Sequence, residues 1–273
     1  MKPNLLQRSS AHLVAILVCL IMVIPVYLIL TNSLKSSVEA SSMGIQLPTT
    51  LNWENFVTVI DKGKLATSFL NSVLYSSGST IMATLFSAMA AHVLSRNPTR
   101  LNRFLYFFLI MGIALPINFF TLIRIMQITH LINTKMGIIL LYTTTQIPFS
   151  VFLIYGFIDS VPRELDEAAI IDGCGPIQLF FRIILPLLTP VLVTAGILNF
   201  LGVWNDFLLP LYFLNNSSHW PMTLAVYNFF GQYQADWNLV SADILLTILP
   251  VIAIYLFGQR FILSGLSSGA VKG

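Results

Sequence analysis

The chain has 273 residues, of which 56% are hydrophobic and only 9% are charged, and its mean hydropathy is +0.82. A soluble domain carries about 25% charged residues, so this composition excludes an ordinary water-soluble protein. The formal net charge of +3 is too small to indicate a nucleic-acid partner. Within a bilayer every backbone polar group must be satisfied inside helices or a closed barrel, so the sequence predicts a protein embedded in the lipid bilayer.

Apolar stretches long enough to cross a bilayer, which takes about 20 helical residues, recur along the whole chain. They lack the alternation of polar and apolar residues that barrel strands show. The first stretch is longer than the apolar region of a signal peptide, and no convincing cleavage site follows it, so we expect it to be retained. The expected fold class is all-α, a polytopic membrane protein forming a single transmembrane domain over residues 1–273. About six spans are predicted, at residues 12–31, 69–93, 104–123, 136–157, 187–207 and 242–261.

The distribution of Lys and Arg predicts the orientation of these spans. With the N-terminus inside, nine of the 14 basic residues fall in inner segments and five in outer ones. Inner loops carry the excess of Lys and Arg in membrane proteins. We therefore expect a multi-pass protein of a bacterial-type inner membrane with both termini in the cytoplasm.

The second predicted span carries small polar residues at four-residue spacing, namely Ser72, Ser76, Thr80 and Thr84. Such a stripe lets helix backbones approach closely in lipid. Helix packing is one interpretation of the stripe, and lining of a substrate path is the other.

Prolines that interrupt predicted spans include Pro116, Pro148, Pro190 and Pro250. Each proline frees a backbone carbonyl, which must find another partner inside the bilayer. The prolines therefore predict kinks, and hinges of a moving transporter are the alternative.

The segment at about residues 158–186, between the fourth and fifth spans, differs in character from the rest of the chain. A helix is predicted to start after Pro162, a residue suited to helix starts. Gly173 or Gly175 can stop this helix in a left-handed cap. The segment holds five of the chain's 11 acidic residues, namely Asp159, Glu164, Asp166, Glu167 and Asp172.

A second short helix is predicted to start at Pro176 and to lead through Leu185 and Pro186 into the fifth span. On the first helix one side carries Leu165, Ala168, Ala169 and Asp172, where the small residues permit close approach. Two short helices that meet at a glycine form a compact knob, which could fit a cleft in a cytoplasmic partner.

A spaced motif runs through this knob: Glu167-Ala168-Ala169, three residues, Gly173, nine residues, Ile183, one residue, and Leu185-Pro186. This motif matches, at every position, the signature of permease subunits of binding-protein-dependent ATP-binding-cassette importers, and the chain resembles that family. The resemblance implies that the segment is a coupling helix docked on an ATPase subunit. Glu167 would make a charged or capping contact, Ala168 and Ala169 close packing, and Gly173 the turn.

Weaker motifs resemble the sugar-transporting branch, specifically the maltose-type second permease. They are Phe69-Leu70-Asn71-Ser72, the run from Trp204 to Leu208, and the tail at residues 259–273. The resemblance makes Asn71, Trp204, Asn205 and Asp206 candidates for the translocation path or for structural pairing. It also implies contacts between the ATPase subunits and the tail, an unstructured end being the alternative; the tail residues are Gly269, Ala270, Val271, Lys272 and Gly273.

The resemblance implies a complex of this chain with a second permease of different sequence, two ATP-binding subunits and an extracytoplasmic solute-binding protein. The chain contains no G-x-x-x-x-G-K-[ST] phosphate loop. ATP and Mg are therefore expected on partner subunits, with no cofactor and no enzymatic centre on this chain. The expected function is passage of a solute, a mono- or oligosaccharide, from the binding protein into the cytoplasm.

Three alternatives compete with this expectation. The same machinery could carry a non-sugar solute. A secondary transporter or channel would usually show inverted repeats or several intramembrane charges, and neither is evident. A membrane enzyme is disfavoured because the histidines show no metal-binding spacing.

Overall fold

The computed structural model describes the backbone of residues 5–231 and 235–270, and the side chains of residues 12–231 and 235–259. The predicted tail residues Val271, Lys272 and Gly273 lie outside the described residues. Within the described residues the secondary structure is helical, with one isolated bridge between Phe230 and Ala235. The predicted all-α class is confirmed.

Fourteen α-helices follow one another along the described residues. They are α1 (Leu5–Asn32), α2 (Ser37–Ala40), α3 (Glu54–Lys62), α4 (Leu65–Arg96), α5 (Arg100–Met111), α6 (Phe119–Ile128), α7 (Lys135–Ile158), α8 (Glu164–Ile171), α9 (Pro176–Leu179), α10 (Leu185–Leu187), α11 (Thr189–Asn205), α12 (Leu208–Phe213), α13 (Met222–Ala225) and α14 (Trp237–Ala270). A π-helical turn, Phe180–Ile184, joins α9 to α10, and 3-10 turns lie at Ser217–His219 and Val226–Phe229.

Four helical stretches are long and apolar enough to cross a membrane, and they match the first, second, fourth and sixth predicted spans. They are His12–Asn32, Leu65–Arg96, Lys135–Ile158 and Trp237–Gln259. A fifth span is counted if Pro176–Leu187 and Thr189–Asn205, which meet at a bend of 76°, are taken together. The predicted fifth span, residues 187–207, therefore starts at a sharp bend, with Pro190 in the first turn of α11.

The third predicted span, residues 104–123, is wrong as a continuous helix. The chain forms α5 and α6 instead, with non-helical backbone between them that includes Pro116. Proline cannot donate the backbone hydrogen bond that would continue a helix. The new helix α6 begins at Phe119, and the side chain of its N-cap residue Asn118 accepts a hydrogen bond from the Thr121 amide at 3.1 Å.

The end of the chain departs from the alternative of an unstructured tail. Helix α14 continues through Gly269 to Ala270, so this part of the tail is helical. A glycine in a helix costs only about 1 kcal/mol relative to alanine, and a long helix accommodates it.

The chain divides into two compact units. One unit comprises residues 1–66 and 225–250, and the other comprises residues 67–224 and 251–273. In the first unit the buried Lys35 ammonium donates to Asn32 Oδ1 at 3.0 Å and to the Gly44 carbonyl at 2.6 Å. Asn55 donates to the Ser33 and Lys35 carbonyls and accepts a hydrogen bond from Asn238. Lys35, Asn55 and Asn238 are thus joined in one connected network, which pairs most of their buried polar atoms.

The second unit contains two apolar clusters. One cluster gathers Tyr75, Ile138, Tyr142, Val203 and their neighbours on α4, α7, α11 and α12. The other cluster joins the opposite end of α4 and α7 to α8 and the turns that follow it. Small residues of α4 let this packing form, since Ala83, Ala88 and Ala91 are fully buried. In the hydroxyl stripe Ser72 and Ser76 are buried, as helix packing predicts, and Thr80 and Thr84 are half-buried.

Candidate coupling site

Helix α8 forms where the sequence predicts it, directly after Pro162. Its first turn contains Glu164, Asp166 and Glu167. Carboxylates near the N-terminus of a helix interact favourably with the positive end of the helix dipole. The local sequence therefore stabilises this short helix at its N-terminal end.

The C-terminal end of α8 is closed by Gly173, as predicted. Gly173 has a φ of +83°, in the left-handed region that favours glycine. The Cys174 amide donates to the Ala169 carbonyl at 2.9 Å, and the Gly173 amide donates to the Ile170 carbonyl at 3.0 Å. These two bonds form a Schellman motif, which satisfies carbonyls that the end of the helix leaves free.

Replacing Gly173 with alanine is expected to destabilise this cap by about 1–2 kcal/mol, the cost of a left-handed residue that has a Cβ. Gly175 offers a matched control, because its φ is −71° and an added Cβ meets no atom within 4 Å at either glycine. Amide hydrogen exchange of α8 in detergent should accelerate in Gly173→Ala and stay unchanged in Gly175→Ala. Equal rates in the two variants would contradict the assignment of the cap.

The predicted second helix starts at Pro176 and runs through the π-helical turn to Leu187. In that turn the Leu185 amide donates to the Phe180 carbonyl, five residues earlier. The signature residues Ile183 and Leu185 are half-buried and pack against the cluster beneath α8, whereas Pro186 is exposed. Ile183 and Leu185 thus stabilise the knob by packing against the apolar cluster that also contains Ala169.

Only one of the four residues predicted to share a side of α8 is buried. Ala169 packs into the core cluster, while Leu165, Ala168 and Asp172 are exposed. The two alanines of the motif therefore do different things: Ala169 attaches α8 to its own chain, and Ala168 is available to a partner.

The exposed side of α8 combines acidic and apolar groups. We call the face made by Glu164, Glu167, Ala168 and Ile171 the α8 outer face; all four residues are exposed, and Ile171 retains 84% of its accessible surface. Successive residues are 100° apart around a helix, so these four positions lie opposite Asp166 and Ala169. An exposed patch of this kind marks a candidate protein interface.

One ion pair fixes the other side of α8. Arg96 Nε, at the C-terminal end of α4, lies 2.6 Å from Asp166 Oδ2, and the two side chains are only 11% and 13% exposed. Neither Arg96 Nε nor Asp166 Oδ1 has an aligned hydrogen-bond partner, so the contact is a close charge pair. Removing one member of a largely buried pair costs about 3–5 kcal/mol, since the other charge is left uncompensated.

The candidate path residue Asn71 lies at the opposite end of α4 and is buried. Its amide donates to the carbonyls of Ser218 and Trp220, at 2.9 and 3.1 Å. Two further α4 side chains, Ser72 and Tyr75, hold the same loop: Ser72 accepts from the Met222 amide and Tyr75 donates to the His219 carbonyl. Sequence reasoning missed this loop attachment, because partners about 150 positions apart leave no local pattern.

Trp204 and Asp206 are likewise engaged in contacts within the chain. The Trp204 ring is buried and lies against Phe69 and Phe200. Asp206 accepts hydrogen bonds from the Tyr142 hydroxyl at 2.9 Å and from the Leu208 and Leu209 amides at 3.2 Å. These contacts favour structural pairing for both residues, while Asn205, which ends α11, is exposed.

In the described residues no group of three or more His, Cys, Asp or Glu side chains is placed to hold a metal ion.

The structure brings the motif residues together in one knob. They are Glu167, Ala168, Ala169, Gly173, Ile183, Leu185 and Pro186. Asn71 lies near the N-terminal end of α4, and Trp204 and Asp206 lie at the C-terminal end of α11.

These features define a helical membrane permease component with a small exposed knob. The chain belongs to the family of binding-protein-dependent transport system inner membrane components, whose pattern matches residues 81–267. It is 35% identical to the melibiose/raffinose/stachyose import permease protein MelC of Bacillus subtilis, over 98% of this chain and 97% of that protein. It is 33% identical to the diacetylchitobiose uptake system permease protein NgcG of Streptomyces coelicolor, over 97% of this chain and 89% of that protein.

A solved structure shows the same fold. A bacterial ABC transporter involved in the import of the acidic polysaccharide alginate superposes with a TM-score of 0.80, at 19% identity, over 95% of this chain and 99% of that one. The MetNI methionine ABC transporter superposes with a TM-score of 0.56 over 74% of this chain. The protein is therefore a multi-pass inner-membrane permease subunit of an ABC importer, and it is a transport component, as predicted.

Proposed function

We propose that this permease subunit passes a mono- or oligosaccharide from an extracytoplasmic binding protein into the cytoplasm. The proposal is supported by relatives named for sugar uptake that match nearly the whole chain. Import of a non-sugar solute through the same machinery is the rival, because the fold itself also occurs in a methionine transporter.

We further propose that the α8 outer face docks on an ATP-binding partner subunit. The single observation that carries this proposal is the split of the motif: Ala169 is buried in this chain while Glu167 and Ala168 face outwards. A knob that is anchored on one side and exposed on the other is suited to transmit force between two proteins.

The remaining assembly follows from this assignment and from the distribution of basic residues. Both termini and α8 lie in the cytoplasm, and the loop held by Asn71 lies outside. The complex contains a second permease of different sequence, two ATP-binding subunits that hold ATP and Mg, and a binding protein. Glu167 makes a charged or capping contact on the ATPase subunit, and the tail from Gly269 onwards reaches the same subunits.

Reversing the charge of Glu167 tests the docking site. In the assembled complex in lipid nanodiscs, Glu167→Lys is expected to lower ATPase-subunit retention and binding-protein-stimulated hydrolysis by at least tenfold. The reason is that the positive lysine side chain is repelled by the basic or amide group of the ATPase subunit that contacts the Glu167 carboxylate. Both quantities are measured on complexes captured through a tag on this chain.

Asp61→Lys is the matched control, because Asp61 is an exposed acidic residue of α3 on the predicted outer side. It carries the same charge change and is expected to leave retention and hydrolysis unchanged. Normal hydrolysis and full retention in Glu167→Lys would overturn the assignment of α8 as the docking element.

The substrate is tested in the same assembly by adding raffinose, diacetylchitobiose or methionine with the binding protein. Stimulation by a sugar and not by methionine supports the carbohydrate proposal. Stimulation by methionine alone would overturn it and leave the importer class intact. Transport that persists without the ATP-binding subunits would instead indicate a secondary transporter or channel.

A further inference from the structure

The C-terminal end of α4 meets the segment that carries α8 at more than the Arg96–Asp166 pair. Arg96 Nη2 also donates to the Val161 carbonyl at 3.0 Å. In the reverse direction Arg163 Nη2 donates to the Ser95 carbonyl at 3.5 Å, and Ser95 Oγ donates to Asp159 Oδ1 at 3.4 Å. Two consecutive residues of α4 thus hold the chain before α8, its first turn and the turn that follows α7.

The pair is distinctive in this chain. Across the part of the chain that the structure describes, Arg96–Asp166 is the only contact within 4.0 Å between a basic side chain and a carboxylate. It is largely buried, so solvent and salt screen it far less than they would screen a surface pair. A charge pair of this kind resists separation of α8 from α4.

The other attachment of α8 is apolar and small. Within α8, Ala169 is the only buried residue, and it packs against the cluster that contains Ile158, Val161 and Phe180. A methyl group in an apolar cluster allows sliding and rotation more readily than an ion pair does. Together with the hydrogen bonds of Ser95, Arg96 and Arg163, the charge pair therefore resists rotation of α8 against α4.

We propose that Arg96 and Asp166 are positioning residues that make α8 and the end of α4 move as one body. A displacement of α8 by the ATPase subunit then moves α4, and the turn at Pro162 does not absorb it. This inference rests on the proposed docking role of α8. It assigns no contact with ATP or solute to either residue.

The test uses Arg96→Asp, Asp166→Arg and the swapped double variant in the assembled complex in nanodiscs. Each single variant places like charges together and is expected to retain the ATPase subunits and basal hydrolysis. Stimulation of hydrolysis by the binding protein should fall at least tenfold. The double variant restores an opposite-charge pair and should recover at least half of the stimulation.

A spectroscopic measurement separates positioning from a general loss of structure. Spin labels are placed at Phe86→Cys on α4 and Ile170→Cys on α8, with Cys19 and Cys174 replaced by serine; both labelled sites are exposed and lie off the α8 outer face. Pulsed EPR should give one narrow distance distribution that ATP with vanadate leaves unchanged. The single variants should broaden it, and the swap should narrow it again.

If the single variants do not assemble, Asp166→Asn replaces them, since it removes one charge of the pair and keeps the side-chain volume nearly unchanged. Normal stimulation and a narrow distribution in Asp166→Asn, or a swap that assembles and recovers neither readout, would overturn the proposal. Failure of the docking role is distinguishable, because it appears in Glu167→Lys, where the Arg96–Asp166 pair is intact.

Discussion

Replacing Gly137 with alanine is expected to cost about 3 kcal/mol or more of stability, at the upper end of the range for overpacking. Gly137 lies in the first turn of α7, where its amide donates to the Thr134 hydroxyl at 3.0 Å. A Cβ added at Gly137 would overlap the carbonyl oxygen of Leu131 and lie 2.9 Å from Thr134 Oγ1. Backbone cannot move aside as a flexible side chain can, so the turn that starts α7 must distort.

Gly156, near the other end of the same helix, is the matched control. An added Cβ there meets no atom within 4 Å, and alanine has the higher helix propensity. Fluorescence-detected size-exclusion chromatography after heating should show a lower midpoint for Gly137→Ala and an unchanged or slightly higher one for Gly156→Ala. Equal midpoints would show that the Leu131 turn can relax.

Replacing Asp206 with alanine is expected to cost about 2–4 kcal/mol, because it removes a charged acceptor and a helix-capping group together. The carboxylate accepts from the Leu208 and Leu209 amides and from the buried Tyr142 hydroxyl. Tyr142→Phe removes only one of these bonds and should cost about 1 kcal/mol. The heating assay measures both variants.

The double variant tests whether the stabilising effect of Asp206 depends on its hydrogen bond with Tyr142. If it does, adding Tyr142→Phe to Asp206→Ala should cost less than Tyr142→Phe costs alone. A role in the translocation path predicts a different outcome: an altered solute concentration for half-maximal stimulation with an unchanged heating midpoint.

Local sequence chemistry predicted the two short helices of the knob and the glycine between them well. Pro162 and Pro176 start helices and Gly173 closes one, since each residue restricts or permits backbone angles by itself. What the sequence could not predict was which alanine faces inwards. Ala168 and Ala169 are identical in type, and only the position of the neighbouring helices separates them.

The third predicted span failed for two reasons. Residues 104–123 are mostly apolar, but Pro116 cannot continue a helix, and α5 already ends where Gly112 approaches α7 closely. A Cβ on Gly112 would lie 2.8 Å from Pro148 Cγ. The amino-acid composition of a short sequence segment does not reveal such a tertiary contact. Nor does it reveal the pairs Arg96–Asp166 and Asn71–Trp220.

Helix α4 is held at both ends by side chains, by Asn71 at the loop that contains Trp220 and by Arg96 at α8. The 26 residues from Asn71 to Arg96 form one uninterrupted stretch of helix, about 39 Å long at 1.5 Å per residue. Coupling between the two ends of this helix is reciprocal in free energy. If a protein bound at the loop that contains Trp220 strengthens binding of a partner at α8, that partner must strengthen binding at the loop by the same factor.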